Sequence, residues 1–135
     1  MNQTKLLKKY EPLLRDIIVK RDGNKCSIAG FRHNCGTKLV ADHRPSGRGN
    51  HSTFLDPRNL TTVCDSANLR AELDAFISKA IVDVVREREG EEALLDIAIT
   101  SRNPRKWTEL EIKKWIDDCK RHFLKNKSGK PKETN

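Results

Sequence analysis

From Asn24 to Thr62 the chain loses the three- and four-residue apolar spacing that marks both of its flanks, and this interruption limits what it can fold into. The stretch is rich in Gly, Asn, Ser, Thr and Pro, and its one strand-like run is Lys38-Leu39-Val40-Ala41. Such residues favour turns and short strands over helix. On the N-terminal side, residues 4–21 read as helix in two pieces. Leu6, Leu7 and Tyr10 belong to the first. Pro12 suits the first turn of the second, which carries Leu13, Leu14, Ile17 and Ile18 and stops at Asp22-Gly23-Asn24. Asp56-Pro57 reads as a cap and first-turn proline of a short helical turn that delivers Asn59 and Leu60.

On the C-terminal side, Leu73, Phe76, Ile77, Ala80, Ile81, Val84 and Val85 recur at helical spacing. They predict one helix over about 65–88 with a single apolar stripe, which is core or, alternatively, a dimer face. Gly90 breaks it, residues 91–99 form a short helix around Leu94, Leu95 and Ile97, and Asn103-Pro104 marks a turn. Thr108-Glu109-Leu110-Glu111 spells a capping box, with Trp107 and Ile112 placed for a hydrophobic staple. The last helix is expected to bury Ile112, Trp115, Ile116, Cys119 and Phe123, and the two tryptophans read as core. The fold class is therefore α+β, an irregular centre flanked by helices.

A chain of 135 residues favours one domain. It is placed at 1–124, with a core over 22–72 and a helical part over 73–124. Residues 125–135 read as a basic, disordered tail that touches DNA backbone. Lysine and arginine total 27 against 19 acids, a formal charge of +8, which favours a polyanionic partner through counterion release. No apolar run reaches the ~20 residues a membrane span needs. The start, MNQTKLLKKYEPLL, lacks the apolar segment of a secretion signal, so the chain reads as cytoplasmic, in the host cytoplasm if phage-encoded. Cys26, Cys35, Cys64 and Cys119 form no C-x-x-C pair. In a reducing compartment they point to metal ligation or burial rather than disulfides.

The chemistry-bearing residues lie between Cys26 and Asn68. Hydrolysis of a phosphodiester needs a base to activate water and positive charge to stabilise the phosphate as it reacts. Asp42 and His43 end the strand-like run, where alternation sends neighbouring side chains to opposite faces. Asp42 can then turn to a metal and His43 to water. A hard cation such as Mg²⁺ or Mn²⁺ prefers oxygen ligands, and Asn68, near a helix start, is the source of a second one. A base must be neutral, so activity is expected to rise through pH about 6 to 7. His33, His51 and His122 read as solvated loop histidines.

Asp42-His43, Asn59-Leu60 and Asn68 together resemble the HNH (ββα-metal) endonucleases. The run Phe54-Leu55-Asp56-Pro57-Arg58-Asn59-Leu60 and the flanking Cys26 and Cys64 are similar to phage members of that family. The resemblance covers about a third of the chain. It implies a β-hairpin and helix holding one Mg²⁺ or Mn²⁺ ion between Asp42 and Asn68, with His43 as general base and Asn59 bonding to backbone to hold the loop and His43 in place. It implies cleavage of DNA, with Arg70 on phosphate. Arg44, Arg48 and Arg58, dense beside the motif, are expected to contact phosphate as well, and a one-site nuclease that cuts both strands is expected to be a homodimer. The family's second cysteines are replaced by Ala29 and Ala67, which implies that structural zinc has been lost and an apolar plug surrounds Cys26 and Cys64. The alternative is a ligand set rebuilt by Cys35 or His33 with Cys26 and Cys64. Asn103-Pro104-Arg105-Lys106-Trp107-Thr108 resembles NinG-type phage recombination nucleases, which implies branched DNA as substrate. Those carry Gly where Asp42 stands. A non-catalytic DNA-binding module that keeps the fold is the rival expectation.

Overall fold

The computed structural model describes residues 2–124, so the expected basic tail lies outside the described residues. Among them are five α-helices and one two-stranded antiparallel sheet, an α+β arrangement. Helix α1 spans Gln3–Arg21, strands β1 and β2 span Leu39–His43 and Leu60–Cys64, and α2 follows at once over Asp65–Arg70. Helices α3, α4 and α5 span Ala75–Glu89, Glu91–Ser101 and Glu109–Phe123. No described helix is long and apolar enough to cross a membrane.

Helix α1 is one helix, not two. Pro12 sits inside it, while Leu6, Leu7, Tyr10, Leu14, Ile17 and Ile18 are buried. That unbroken apolar face outweighs the backbone bond the proline removes. It packs with Ile112, Ile116 and Cys119 of α5, Trp107, and the loop residues Phe54 and Leu55. Each tryptophan spends its indole N–H on a loop carbonyl: Trp107 on His51 at 3.1 Å and Trp115 on Leu55 at 2.8 Å. The capping box at Thr108 and Glu111 forms in both directions.

The predicted helix over 65–88 is divided. Asp74 starts α3 by accepting from the N–H groups of Phe76 and Ile77. The break resets the helical phase, so Ile77, Ile81 and Val85 face inward while Leu73 and Phe76 are exposed. This second core includes Val63, Cys64, Ala67 and Ile28. The sheet lies between the two cores, in register from Leu39 opposite Cys64 to His43 opposite Leu60.

Two arginines hold carbonyls in and around the expected short helical turn, a 3-10 turn over Pro57–Asn59. Arg21 of α1 donates to Pro57 O at 2.7 Å and Leu60 O at 2.6 Å. Arg88 of α3 donates to Arg58 O at 3.0 Å and Leu60 O at 3.1 Å. Buried backbone acceptors without partners are costly, so these contacts fix the start of β2 and, through the sheet register, the end of β1.

Candidate functional site

Two groups of side chains meet around the hairpin. The first gathers Cys26, His33, Cys35 and Cys64, whose ligand atoms all lie within 4.8 Å of one another. His33 Nε2 is 3.9 Å from Cys26 Sγ and 3.7 Å from Cys35 Sγ. A tetrahedron built from zinc–sulfur and zinc–nitrogen bonds has edges of about 3.5–3.8 Å, so the spacing suits that ion. His33 Nδ1 lies 2.7 Å from Phe31 O, an arrangement that makes Nδ1 the protonated nitrogen and leaves Nε2 as the ligand. Cys64 also caps α2, accepting from Ala67 N–H at 3.3 Å. Burial raises the Cys64 thiol, but the N–H groups of Ala67 and Gly36, with Cys35 and His33, bring it down to about 7. Burial pushes the Cys26 thiol up to about 11. At Gly36 the chain passes so close to α2 that a Cβ would lie 1.7 Å from the Asp65 carboxylate.

The second group lines an open cleft of about 520 Å³, to which α1, β1, the following loop and α2 all contribute. Strand alternation sends the two motif residues apart. His43 turns to the α1 side, where its ring lies 4.7 Å from that of Phe54 and its Nε2 donates to Phe54 O at 3.0 Å. That bond leaves Nδ1 as the ring's acceptor, without a protein partner among the described residues. His43 is 9% exposed. Burial pushes its imidazole down to about 4, so the ring is neutral well below the pH range expected from an ordinary histidine.

Asp42 turns the other way and is 1% exposed. Its Oδ2 accepts from Asn68 Nδ2 at 2.7 Å. Its Oδ1 lies 3.0 Å from Arg44 Nε, a charge contact in which the N–H does not point at the oxygen. Burial raises the Asp42 carboxyl above its usual range, against the opposing pull of Arg44 and Asn68. Arg44 reaches on to Glu72 at 3.0 Å.

Comparison with protein-family models, with curated proteins and with solved structures found no match to this chain.

The side chains correct the cofactor expectation in both parts. A Mg²⁺ or Mn²⁺ ion between Asp42 and Asn68 does not fit, because Asn68 presents an N–H rather than an oxygen and Arg44 already stands at the remaining carboxylate oxygen. The set that suits a metal is the Cys26–His33–Cys35–Cys64 cluster, of structural zinc type. Cys26 and Cys64 are also packed among Ile28, Val63 and Ala67 of the second core, so the apolar surroundings expected there enclose a ligand set instead of replacing it. His33, read from sequence as a solvated side chain, is buried in this cluster.

The remaining predicted residues divide. Asn59 is fully buried and ties the loop together: its Oδ1 accepts from Ser46 N–H at 2.6 Å, and its Nδ2 donates to Ser46 O at 2.8 Å and Thr53 O at 3.3 Å. Its own carbonyl accepts from Arg44 N–H at 3.0 Å. Arg44 and Arg48 line the cleft, whereas Arg58 is held away from it by Asp56 and Asp96. Arg70 is exposed beyond Asn68. Among the cleft residues that escaped the sequence reading are Glu11 and Arg15 of α1. Glu11 pairs with both terminal nitrogens of Arg48, whose guanidinium lies 5.1 Å from the centre of the Phe54 ring. The only sequence signal for either residue is its place beside the buried stripe of α1.

Proposed function

We propose that this chain is a DNA endonuclease of the HNH kind that hydrolyses phosphodiester bonds in the cleft beside His43. One observation carries the reading: a buried, neutral imidazole has one nitrogen fixed by a carbonyl and the other free, in a cleft lined by Arg15, Arg44 and Arg48. A carbonyl acceptor on Nε2 selects the tautomer a general base needs. His43 Nδ1 takes a proton from water, the resulting oxygen nucleophile bonds to phosphorus, and the P–O3′ bond breaks. The departing oxygen takes its proton from solvent. Arg15 attracts the phosphate, and Arg44 and Arg48 reach it by exchanging Glu72 and Glu11 for phosphate oxygens, which offsets the charge that grows on it. Asn59 acts as a positioning residue, holding the loop that carries Phe54, the carbonyl partner of His43. The Cys/His cluster bears on the cleft indirectly, since Cys64 caps the helix that carries Asn68.

The rival, a DNA-binding module without catalysis, is favoured by the engagement of Asp42 with Arg44 and Asn68. A plasmid nicking assay on zinc-loaded protein separates the two, run with and without added divalent salts. The nuclease reading expects nicking by the wild type and loss of at least ~100-fold in His43→Ala, with DNA affinity kept. Equal, negligible nicking by both proteins with intact binding supports the rival. Parallel linear and four-way substrates test the recombination reading.

A further inference from the structure

At the corner between α2 and α3 three large apolar side chains, Leu69 of α2, Leu73 of the turn and Phe76 of α3, stay largely exposed. Leu69 is 73% exposed, Leu73 94% and Phe76 64%. They stand beside the cleft: Asn68 and Glu72 line it, and Leu69 and Leu73 are the next residue in each case. Most charges around them are paired with one another. Glu72 pairs with Arg44 at 3.0 Å, and Asp74 with Arg32 at 2.9 Å. The Arg32 guanidinium lies 4.9 Å from the centre of the Phe76 ring. Arg70, between Leu69 and Leu73, has no acidic partner among the described residues.

An apolar tip beside Arg70, next to a cleft whose lining includes Arg15, Arg44 and Arg48, suits a polyanion whose interior is apolar. Three side chains offer at most a few hundred Å², roughly, against the ~800 Å² per partner that a stable protein interface buries. DNA needs no such area, because a leucine or phenylalanine wedge can enter between base pairs and open the step, while arginines hold the backbone.

We propose that Leu73, supported by Leu69 and Phe76, is a wedge that enters the minor groove of duplex DNA and unstacks one base step beside the bond presented to His43. The proposal rests on the nuclease reading and adds its substrate form: double-stranded DNA, opened locally.

The test uses the full chain as His43→Ala, so that DNA is bound without being cut, and a short duplex with a fluorescent base analogue that brightens on unstacking. Binding is expected to brighten the analogue. Adding Leu73→Ala is expected to weaken binding about tenfold and abolish the brightening, and Leu73→Phe to restore both. Leu73 is almost fully exposed, so its variants keep the thermal midpoint. Unchanged affinity and unchanged brightening in Leu73→Ala overturn the wedge and leave the nuclease reading intact. Absence of duplex binding by every variant overturns both. Sedimentation of the wild type as a dimer that Leu73→Ala dissociates assigns the patch to a second copy and also overturns the wedge.

Discussion

The two sides of the hairpin solve the problem of buried polar groups in opposite ways. In the Cys/His cluster four ligand atoms converge with nothing of opposite charge among them, and the set could hold a cation. In the cleft the buried carboxylate of Asp42 already has its cation, the guanidinium of Arg44, and His43 is kept neutral by burial. A motif aspartate is therefore not evidence of a metal, and a missing C-x-x-C pair is not evidence against one. What decides is the charge already present when the ligands meet.

Disrupting the cluster should give the largest effect. Cys64→Ser removes a ligand and weakens the cap of α2, and Gly36→Ala forces the chain away from Asp65. Structural zinc contributes folding free energy directly. Both variants are expected to lose bound zinc, measured by elemental analysis, and to melt without a cooperative transition. Chelation of the wild type should do the same.

Asn59→Ala is next. It strands Ser46 N–H, Ser46 O and Thr53 O in the interior. At about 1–3 kcal/mol for each group left unpaired, a loss of about 3–4 kcal/mol is expected in urea unfolding, with zinc content unchanged. That contrast separates the loop from the cluster.

The pH dependence of the cleft follows from His43. Its ordinary value is 6.5 and burial lowers it to about 4, so the unfolded chain takes up a proton first. The stability contribution is present above pH 6.5 and is lost as pH falls toward 4, about 3 kcal/mol in all. Urea midpoints measured across that range in wild type and His43→Gln should diverge, the variant lacking this slope.

Arg44→Met should have the smallest effect, about 2 kcal/mol by the same unfolding measurement, because it leaves one Asp42 oxygen unpaired while Asn68 keeps the other. Asp42→Asn in the same protein should recover most of it. Failure to recover would mean that Arg44 acts chiefly through Glu72 and Ser78.

Local signals were legible where their partners lie within a few residues. Thr108 with Glu111, the cap at Asp56, and the inward positions Ile112, Ile116 and Cys119 all follow from sequence spacing. Three features needed the folded chain. Pro12 is tolerated because α5 and the loop pack against the face of α1. The helix break at Asp74 lies within an apolar run whose spacing continues through it, so Leu73 and Phe76 read as core. The cluster joins Cys26, His33 and Cys35, from a loop before β1, to Cys64 at the end of β2, and only the sheet register brings them together. Glu11 and Arg15 face the cleft for the same reason, since their position depends on how α1 crosses the hairpin.

The proposed chemistry depends on a His43 ring that is neutral, protonated on Nε2 and free at Nδ1. Nitrogen-detected NMR of the zinc-loaded protein reads the charge and the tautomer of that ring together across a pH series. The expected result is the Nε2–H tautomer throughout the neutral range, with a midpoint near 4. A ring protonated on Nδ1, or one that titrates at the ordinary value of 6.5, would contradict it.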